Sequence, residues 1–160
     1  MYSSFKLAQK YFHYYFTASN GKGHGIHSPF VFDFIKNVLR DKKKYGCYET
    51  IEKIRTELLK NNTLIEVEDH GAGSALLSSN KRVVKDIARS SLKNKKFARL
   101  FHRLVKRYKP QTIIELGTSF GITTSYMAFG NPSSTIYTLE GAENIALLAQ
   151  SSFDKLDLKI

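Results

Sequence analysis

The pattern of apolar and polar positions is clearest in the last third of the chain. Residues 112–116 form a short run of β-branched and apolar residues around one carboxylate, and Pro110 precedes them. A run of that length between turn-forming residues is typical of a buried strand in a parallel sheet. Gly117 and Gly121 follow, and residues 122–129 then have the composition of a helix. The sequence therefore predicts a strand, a tight turn and a crossover helix.

The same order of elements is repeated once. Residues 134–139 predict a second strand, which Glu140 ends, and residues 142–153 predict a second helix. Residues 156–160 resemble the beginning of a third strand. Strands that alternate with helices indicate an α/β fold with a parallel sheet. We expect this sheet to be incomplete and to leave an uncovered apolar edge at residues 113–116.

The first half of the chain predicts helices instead. Amphipathic stretches occupy residues 5–17, 28–42 and 48–60, and residues 63–67 could add a short strand. We interpret residues 1–80 as a helical N-terminal segment that covers the ligand site expected at the glycine turn after the first strand. Residues 81–110 are strongly basic and their apolar positions keep helical spacing, so one helix is expected there, at the start of a ligand-binding domain over residues 81–160.

The turn after the first strand is the main candidate for a ligand site. Gly117 and Gly121 allow close approaches that a side chain would prevent, and the helix that follows directs free N–H groups over the strand. Glu140 lies 19 residues beyond Gly121. At about that spacing, α/β nucleotide folds place an acceptor for ribose hydroxyls. A nucleotide-like ligand is therefore predicted.

Two segments carry a family resemblance. Residues 115–128, Glu-Leu-Gly-Thr-Ser-Phe-Gly-Ile-Thr-Thr-Ser-Tyr-Met-Ala, and residues 137–141, Tyr-Thr-Leu-Glu-Gly, resemble class I S-adenosylmethionine-dependent methyltransferases. The closest similarity is to the catechol and caffeoyl-CoA O-methyltransferases, and it covers roughly residues 97–160. It implies a Rossmann-like methyltransferase fold, S-adenosylmethionine as cofactor, and O-methyl transfer to a small-molecule substrate.

The resemblance also implies roles for individual residues. Glu115 would bind the amino-acid end of the cofactor, and Glu140 would accept the ribose hydroxyls. The cofactor-binding set that it implies is Glu115, Gly117, Thr118, Ser119, Gly121, Thr123, Glu140 and Gly141. Thr118, Ser119 and Thr123 would bind the cofactor carboxylate with the helix N-terminus. Related enzymes take their base, and some a divalent metal, from beyond the fourth strand, so no catalytic residue or metal ligand is assigned.

Three other interpretations stay open. A nicotinamide dinucleotide site would need three glycines, but Ser119 stands where the middle one belongs, and a carboxylate at Glu115 would repel a pyrophosphate. A basic module that binds nucleic acid through residues 81–109 would use the fold without chemistry. An ordinary strand, turn and helix with no ligand would need no site at all.

Composition narrows the setting. The 160 residues carry a formal net charge of +11, which favours anionic partners or indicates a solvated basic face. Cys47 is the single cysteine, so nothing suggests an oxidising compartment. No apolar run has the length of a membrane span, and the N-terminus lacks the apolar core of a signal peptide. We interpret the chain as cytoplasmic, without a membrane partner.

Other polar residues are weaker candidates. His24 and His27 lie three apart in a glycine-rich loop, and Asp69 and His70 begin a second such loop. The histidine pair has no matching cysteine or acidic pair nearby, so no metal is assigned to it.

The expected open edge has two consequences. Open strand edges pair with other chains, so self-association through the sheet edge is expected. Because later strands of such a fold are absent from the predicted sheet, these 160 residues alone are expected to lack methyl transfer.

Overall fold

The computed structural model describes residues 4–17, 28–67 and 81–160. The chain divides into two units, Met1–Asp41 and Lys42–Ile160. The division thus falls at residue 41, whereas the sequence suggested one at residue 80. The predicted third amphipathic helix and the short strand after it belong to the second unit, together with the sheet.

Helices occupy the described part of the first unit. Helix α1 is Ser4–Thr17 and α2 is Pro29–Phe34, which continues as a π-helical turn over Ile35–Leu39. Ser28 is the N-cap of α2, since its side chain accepts a hydrogen bond from the Val31 N–H at 3.4 Å, and proline takes the first helical position. The predicted helices are confirmed here, although the second ends at residue 39 rather than near residue 42.

The second unit alternates helices with short strands. Its elements are α3 (Cys47–Lys60), β1 (Leu64–Glu66), β2 (Lys81–Val83), α4 (Val84–Ser91), α5 (Lys95–Tyr108), β3 (Thr112–Leu116), α6 (Ile122–Gly130), β4 (Thr135–Leu139) and α7 (Glu143–Lys155). Strands β1 and β2 pair antiparallel, and β3 and β4 pair parallel. The predicted α/β class is confirmed in this coarse form.

The core lies mainly among helices α3 to α7, and the β3–β4 pair adds no fully buried residue to it. The register of the pair joins Thr112 to Thr135 and Leu116 to Leu139. Alternation along the strands places Ile113 and Ile136 on a half-buried face, and α6 packs against β4 on one side and α5 on the other. The opposite face is bare: Leu116 is 82% exposed. Side chains more than half exposed on that face are Ile114, Leu116, Tyr137 and Leu139.

The bare face bears on two expectations. A buried strand was predicted at residues 112–116, but only one face of β3 is half-buried. The expected uncovered edge is confirmed, because within the described ranges each of the two parallel strands has one open edge. Association of copies through this sheet stays a prediction.

Two predicted elements differ from the structure. The basic stretch 81–110 is a strand and two helices rather than one helix, because Leu92 is extended and Asn94 starts α5 anew. The Asn94 side chain accepts a hydrogen bond from the Phe97 N–H at 3.1 Å, as an N-cap does. Residues 156–160 form no strand; the chain turns at Asp157, whose φ is 53°.

A buried polar cluster ties α3 to α6 and α5. The Tyr126 hydroxyl donates to Glu52 Oε1 at 2.9 Å, Arg55 Nε donates to the same oxygen at 3.0 Å, and Lys95 Nζ lies 3.1 Å from Oε2. Burial raises the pKa of Glu52, but Lys95, Arg55 and Tyr126 outweigh it, so that pKa lies below its usual value. The cluster fixes the helices that stand behind the glycine turn.

Candidate functional site

The turn between β3 and α6 follows an unusual backbone path. Gly117, Ser119 and Gly121 have φ angles of 87°, 51° and 74°. The N–H groups of Gly117 and Thr118 both donate to the Leu139 carbonyl, at 2.9 and 3.1 Å, which fastens the turn to the end of β4. Two of the three left-handed positions are glycine, the residue that adopts them without strain.

Gly121 is required for a second reason. A Cβ built on Gly121 would lie 2.5 Å from Cε1 of Phe153, an α7 side chain that is 3% exposed. Gly117 differs, because a Cβ there would meet no atom within 4 Å. Gly121 therefore lets α6 pack on α7, and Gly117 leaves open space beside the turn.

Glu140 closes the turn from the neighbouring strand. Its Oε2 accepts the Ser119 N–H at 2.8 Å, and its Oε1 accepts the Ala142 N–H at 3.2 Å. The carboxylate thus stabilises the left-handed Ser119 and the start of α7. Each carboxylate oxygen has two lone pairs, so each keeps one acceptor site beyond these two bonds.

A cavity of about 720 Å³ opens at the carboxyl ends of β3 and β4. Its lining joins the turn, Glu140, β2 and α4. The lining residues are Lys81, Arg82, Val83, Asp86, Ile87, Ser90, Ser91, Gly117, Ser119, Glu140 and Ile145. The volume suits a small molecule or cofactor, and α/β sheets bind ligands at this edge.

Glu115 lies elsewhere, on the half-buried face of β3. Its Oε2 accepts hydrogen bonds from the hydroxyls of Thr124 and Thr138, the latter at 2.7 Å, and Thr138 also bonds Thr118 at 2.6 Å. Burial raises the pKa of Glu115 more than the two hydroxyl donors lower it, so this pKa lies above its usual value. Glu115 and Thr118 therefore belong to a hydrogen-bond network that joins β3, β4 and α6, and they are absent from the cavity lining.

The structure thus divides the predicted site residues. Gly117, Ser119 and Glu140 line one cavity. Glu115 and Thr118 form the hydroxyl network behind it, Gly121 contacts Phe153, and among the described residues neither Thr123 nor Gly141 lines the cavity. Thr123 lies in the first turn of α6 and Gly141 is exposed after β4.

Several lining residues gave no signal in the sequence. Ser90 and Ser91 end α4, and the Ser91 and Ser119 hydroxyls are hydrogen bonded to each other at 2.8 Å. Lys81 and Arg82 come from β2. The sequence interpretation placed these residues in one basic helix, whereas the fold brings β2 and the end of α4 to the same cavity as the turn.

The remaining candidates are outside the described residues. His24, His27, Asp69 and His70 all fall there, as does the loop 71–73. Within the ranges that the structure describes, no group of three or more histidine, cysteine or acidic side chains could hold a metal ion. No described helix is both long and apolar enough to cross a membrane.

Comparison with known proteins assigns the chain to no family. No protein-family model matches the chain, and no curated protein matches it.

Proposed function

We propose that this chain binds S-adenosylmethionine at the cavity beside the glycine turn and belongs to an enzyme that transfers the methyl group to an oxygen of a small molecule. One observation carries the proposal. The Glu140 carboxylate ends the strand next to β3 and shares a cavity with Gly117 and Ser119. An acidic acceptor beside a glycine turn suits a ligand that presents ribose hydroxyls.

The residues present fit such a cofactor. Glu140 keeps acceptor capacity on both oxygens for two vicinal hydroxyls, and the space at Gly117 admits a ligand atom where a side chain would stand. The bound cofactor would supply an electrophilic methyl group on a sulfonium. Methyl transfer depends mainly on holding the reacting atoms in line at about 3–3.5 Å, so the task of this chain is to bind and orient.

Glu115 does not face the cavity. Its carboxylate is engaged by Thr124 and Thr138 rather than by the cavity, so its contact with the amino-acid end of the cofactor stays a prediction. The same position removes Glu115 as an obstacle to a dinucleotide. The proposal therefore rests on Glu140 and on the open backbone at Gly117.

Calorimetry with S-adenosylhomocysteine and, separately, with NAD tests the proposal. We expect the first ligand to bind and Glu140→Ala to weaken it by about 1–3 kcal/mol, because the ribose hydroxyls lose their acceptor. Glu143→Ala is the matched control, since Glu143 is an exposed carboxylate in the first turn of α7. Its affinity should equal that of the unchanged protein.

Glu140 also accepts two backbone N–H groups, so its removal could loosen the turn. Glu140→Gln makes this loosening smaller, because the amide oxygen still accepts the Ser119 N–H, whereas the NH₂ group can accept neither a ribose hydroxyl nor the Ala142 N–H. Binding as weak as that of Glu140→Ala, with a smaller loss of melting temperature, supports the proposal. Tighter binding of NAD than of S-adenosylhomocysteine, or no binding of either, overturns it.

A further inference from the structure

The positive charge of this protein is concentrated in two segments. Residues 42–48 and 93–109 contain 11 of the 25 lysines and arginines and none of the 14 aspartates and glutamates. The rest of the chain therefore has 14 basic and 14 acidic residues. The whole excess of +11 comes from these two segments, which are far apart in sequence.

The fold brings the two segments together through Tyr45. The Tyr45 ring lies 4.8 Å from the His102 ring of α5, and Lys106 Nζ lies 5.3 Å from the centroid of the same Tyr45 ring. Cys47 Sγ is 3.9 Å from His102 Nδ1. Lys42, Lys43 and Lys44 are exposed and lead directly into this contact. One basic surface thus spans the lysine triplet and the side of α5.

The basic side chains of α5 follow the helical repeat. Arg99, Arg103 and Arg107 are four residues apart, so they form a line about 12 Å long on one side of the helix. The guanidinium of Arg99 lies 5.0 Å above the Tyr48 ring. Packing over the Tyr45 ring restrains Lys106, which reduces the entropy lost when an anion binds. Arg99 faces inward instead, toward the buried Tyr48 ring and the Tyr126 hydroxyl.

We propose that this surface, formed by Lys42–Lys44 and the basic side of α5, binds the phosphate backbone of a nucleic acid. A backbone presents phosphates at regular spacing, and a line of arginines can bind them through paired N–H donors. Phosphate contacts carry no base information, so we expect binding to be independent of base sequence. The inference does not depend on S-adenosylmethionine binding.

An acidic membrane surface is the competing anionic partner, and the distribution of side chains around α5 argues against it. Helices that lie in a membrane surface set bulky apolar side chains beside the basic ones, so that the apolar face enters the lipid. The exposed aromatic residues of α5 are Phe97 and Phe101. At about 100° per residue, Phe101 lies about 160° and Phe97 about 120° around the helix from Arg103, so neither ring stands beside that arginine.

Fluorescence anisotropy with a labelled single-stranded RNA of about 20 nucleotides, and with a duplex of equal length, tests the proposal between about 50 and 200 mM salt. Two double variants probe the two segments: Lys42→Gln/Lys44→Gln and Lys96→Gln/Arg107→Gln. The control is Lys60→Gln/Lys159→Gln, which removes the same charge from exposed positions at the end of α3 and near residue 160.

Each probe variant should bind about tenfold more weakly and lower the slope of log affinity against log salt by about 1–2, since two phosphate contacts are lost. The control should change neither quantity to that extent. Equal effects of all three variants would mean that only net charge matters, and would overturn the proposal. Binding to vesicles of phosphatidylserine and phosphatidylcholine without binding to either nucleic acid would overturn it as well.

Discussion

Replacing Gly121 with alanine tests how the turn is built. The alanine would have to keep a φ of 74°, and its Cβ would lie 2.5 Å from Cε1 and 2.7 Å from Cζ of Phe153. The left-handed backbone costs an L-residue about 1–2 kcal/mol. Overpacking against the ring adds about 1–3 kcal/mol, because Phe153 is buried and has little room to move. We expect a total loss of about 2–5 kcal/mol in the free energy of unfolding.

Gly117→Ala is the matched control. Its φ of 87° imposes the same backbone cost, but no atom lies within 4 Å of the added Cβ. This variant should lose only about 1–2 kcal/mol. Phe153→Leu in the Gly121→Ala background should recover part of the loss, with a coupling energy of about 0.5–3 kcal/mol between the two sites.

Urea unfolding followed by circular dichroism measures the free energies of the unchanged protein, the two glycine variants, Phe153→Leu alone and the double variant. The informative quantity is the difference between the two glycine variants, since it isolates the contact with Phe153. Equal losses at Gly117 and Gly121, or full additivity with Phe153→Leu, would show that α7 does not pack against the turn as described.

Three further predictions follow from burial and charge. Tyr126→Phe removes a donor to Glu52, whose lowered pKa gives stability that is complete above about pH 4.5 and lost as the pH falls through the folded pKa. The variant should lose about 1.5–3 kcal/mol of unfolding free energy at pH 7 and should unfold at a higher pH in acid titration. Coincident acid-unfolding curves of the two proteins would contradict this. Glu115→Gln should become more stable relative to the unchanged protein as the pH rises from about 4 to 8, because the folded pKa of Glu115 is raised, and the stability that this gives is complete below the unfolded pKa and lost as the pH rises through the folded pKa. A pH-independent difference in melting temperature would argue against it. Leu116→Lys changes an exposed side chain and should alter the free energy of unfolding by less than about 0.5 kcal/mol. Phe120→Ala, at a side chain with no exposure, should cost about 3–5 kcal/mol. A large loss at Leu116 would mean that the bare face is covered in solution.

The sequence predicted what depends on local signals. The bounds of β3 are the predicted ones, since Pro110 and Gly117 delimit a short apolar run. The first crossover helix begins at Ile122, directly after the glycine that serves as its N-cap. Glu140 was predicted to end the second strand, and it follows β4 directly. In each case a residue with a restricted backbone preference, or a change in polarity, stands at the boundary.

The parts that sequence reasoning missed depend on tertiary contacts. Periodicity favoured a single basic helix over residues 81–110, and the N-cap signal at Asn94 was hidden within it. Ser91 could not be assigned to the site, because its contact with Ser119 spans 28 residues. The orientation of Glu115 was equally hidden, since alternation along a strand gives two faces but does not say which one the helices will cover.

The pairing register gives the physical reason for the position of Glu140. Leu116 is opposite Leu139, so the next residues along the two parallel strands, Gly117 and Glu140, leave the sheet side by side. The carboxylate then reaches the Ser119 N–H because the turn folds back over the end of β4. The 19-residue spacing from Gly121 is a consequence of the length of α6 and its loop. A change in that length that preserves the Leu116–Leu139 pairing should therefore preserve the site, whereas a one-residue slip of β4 would turn Glu140 to the other face of the sheet.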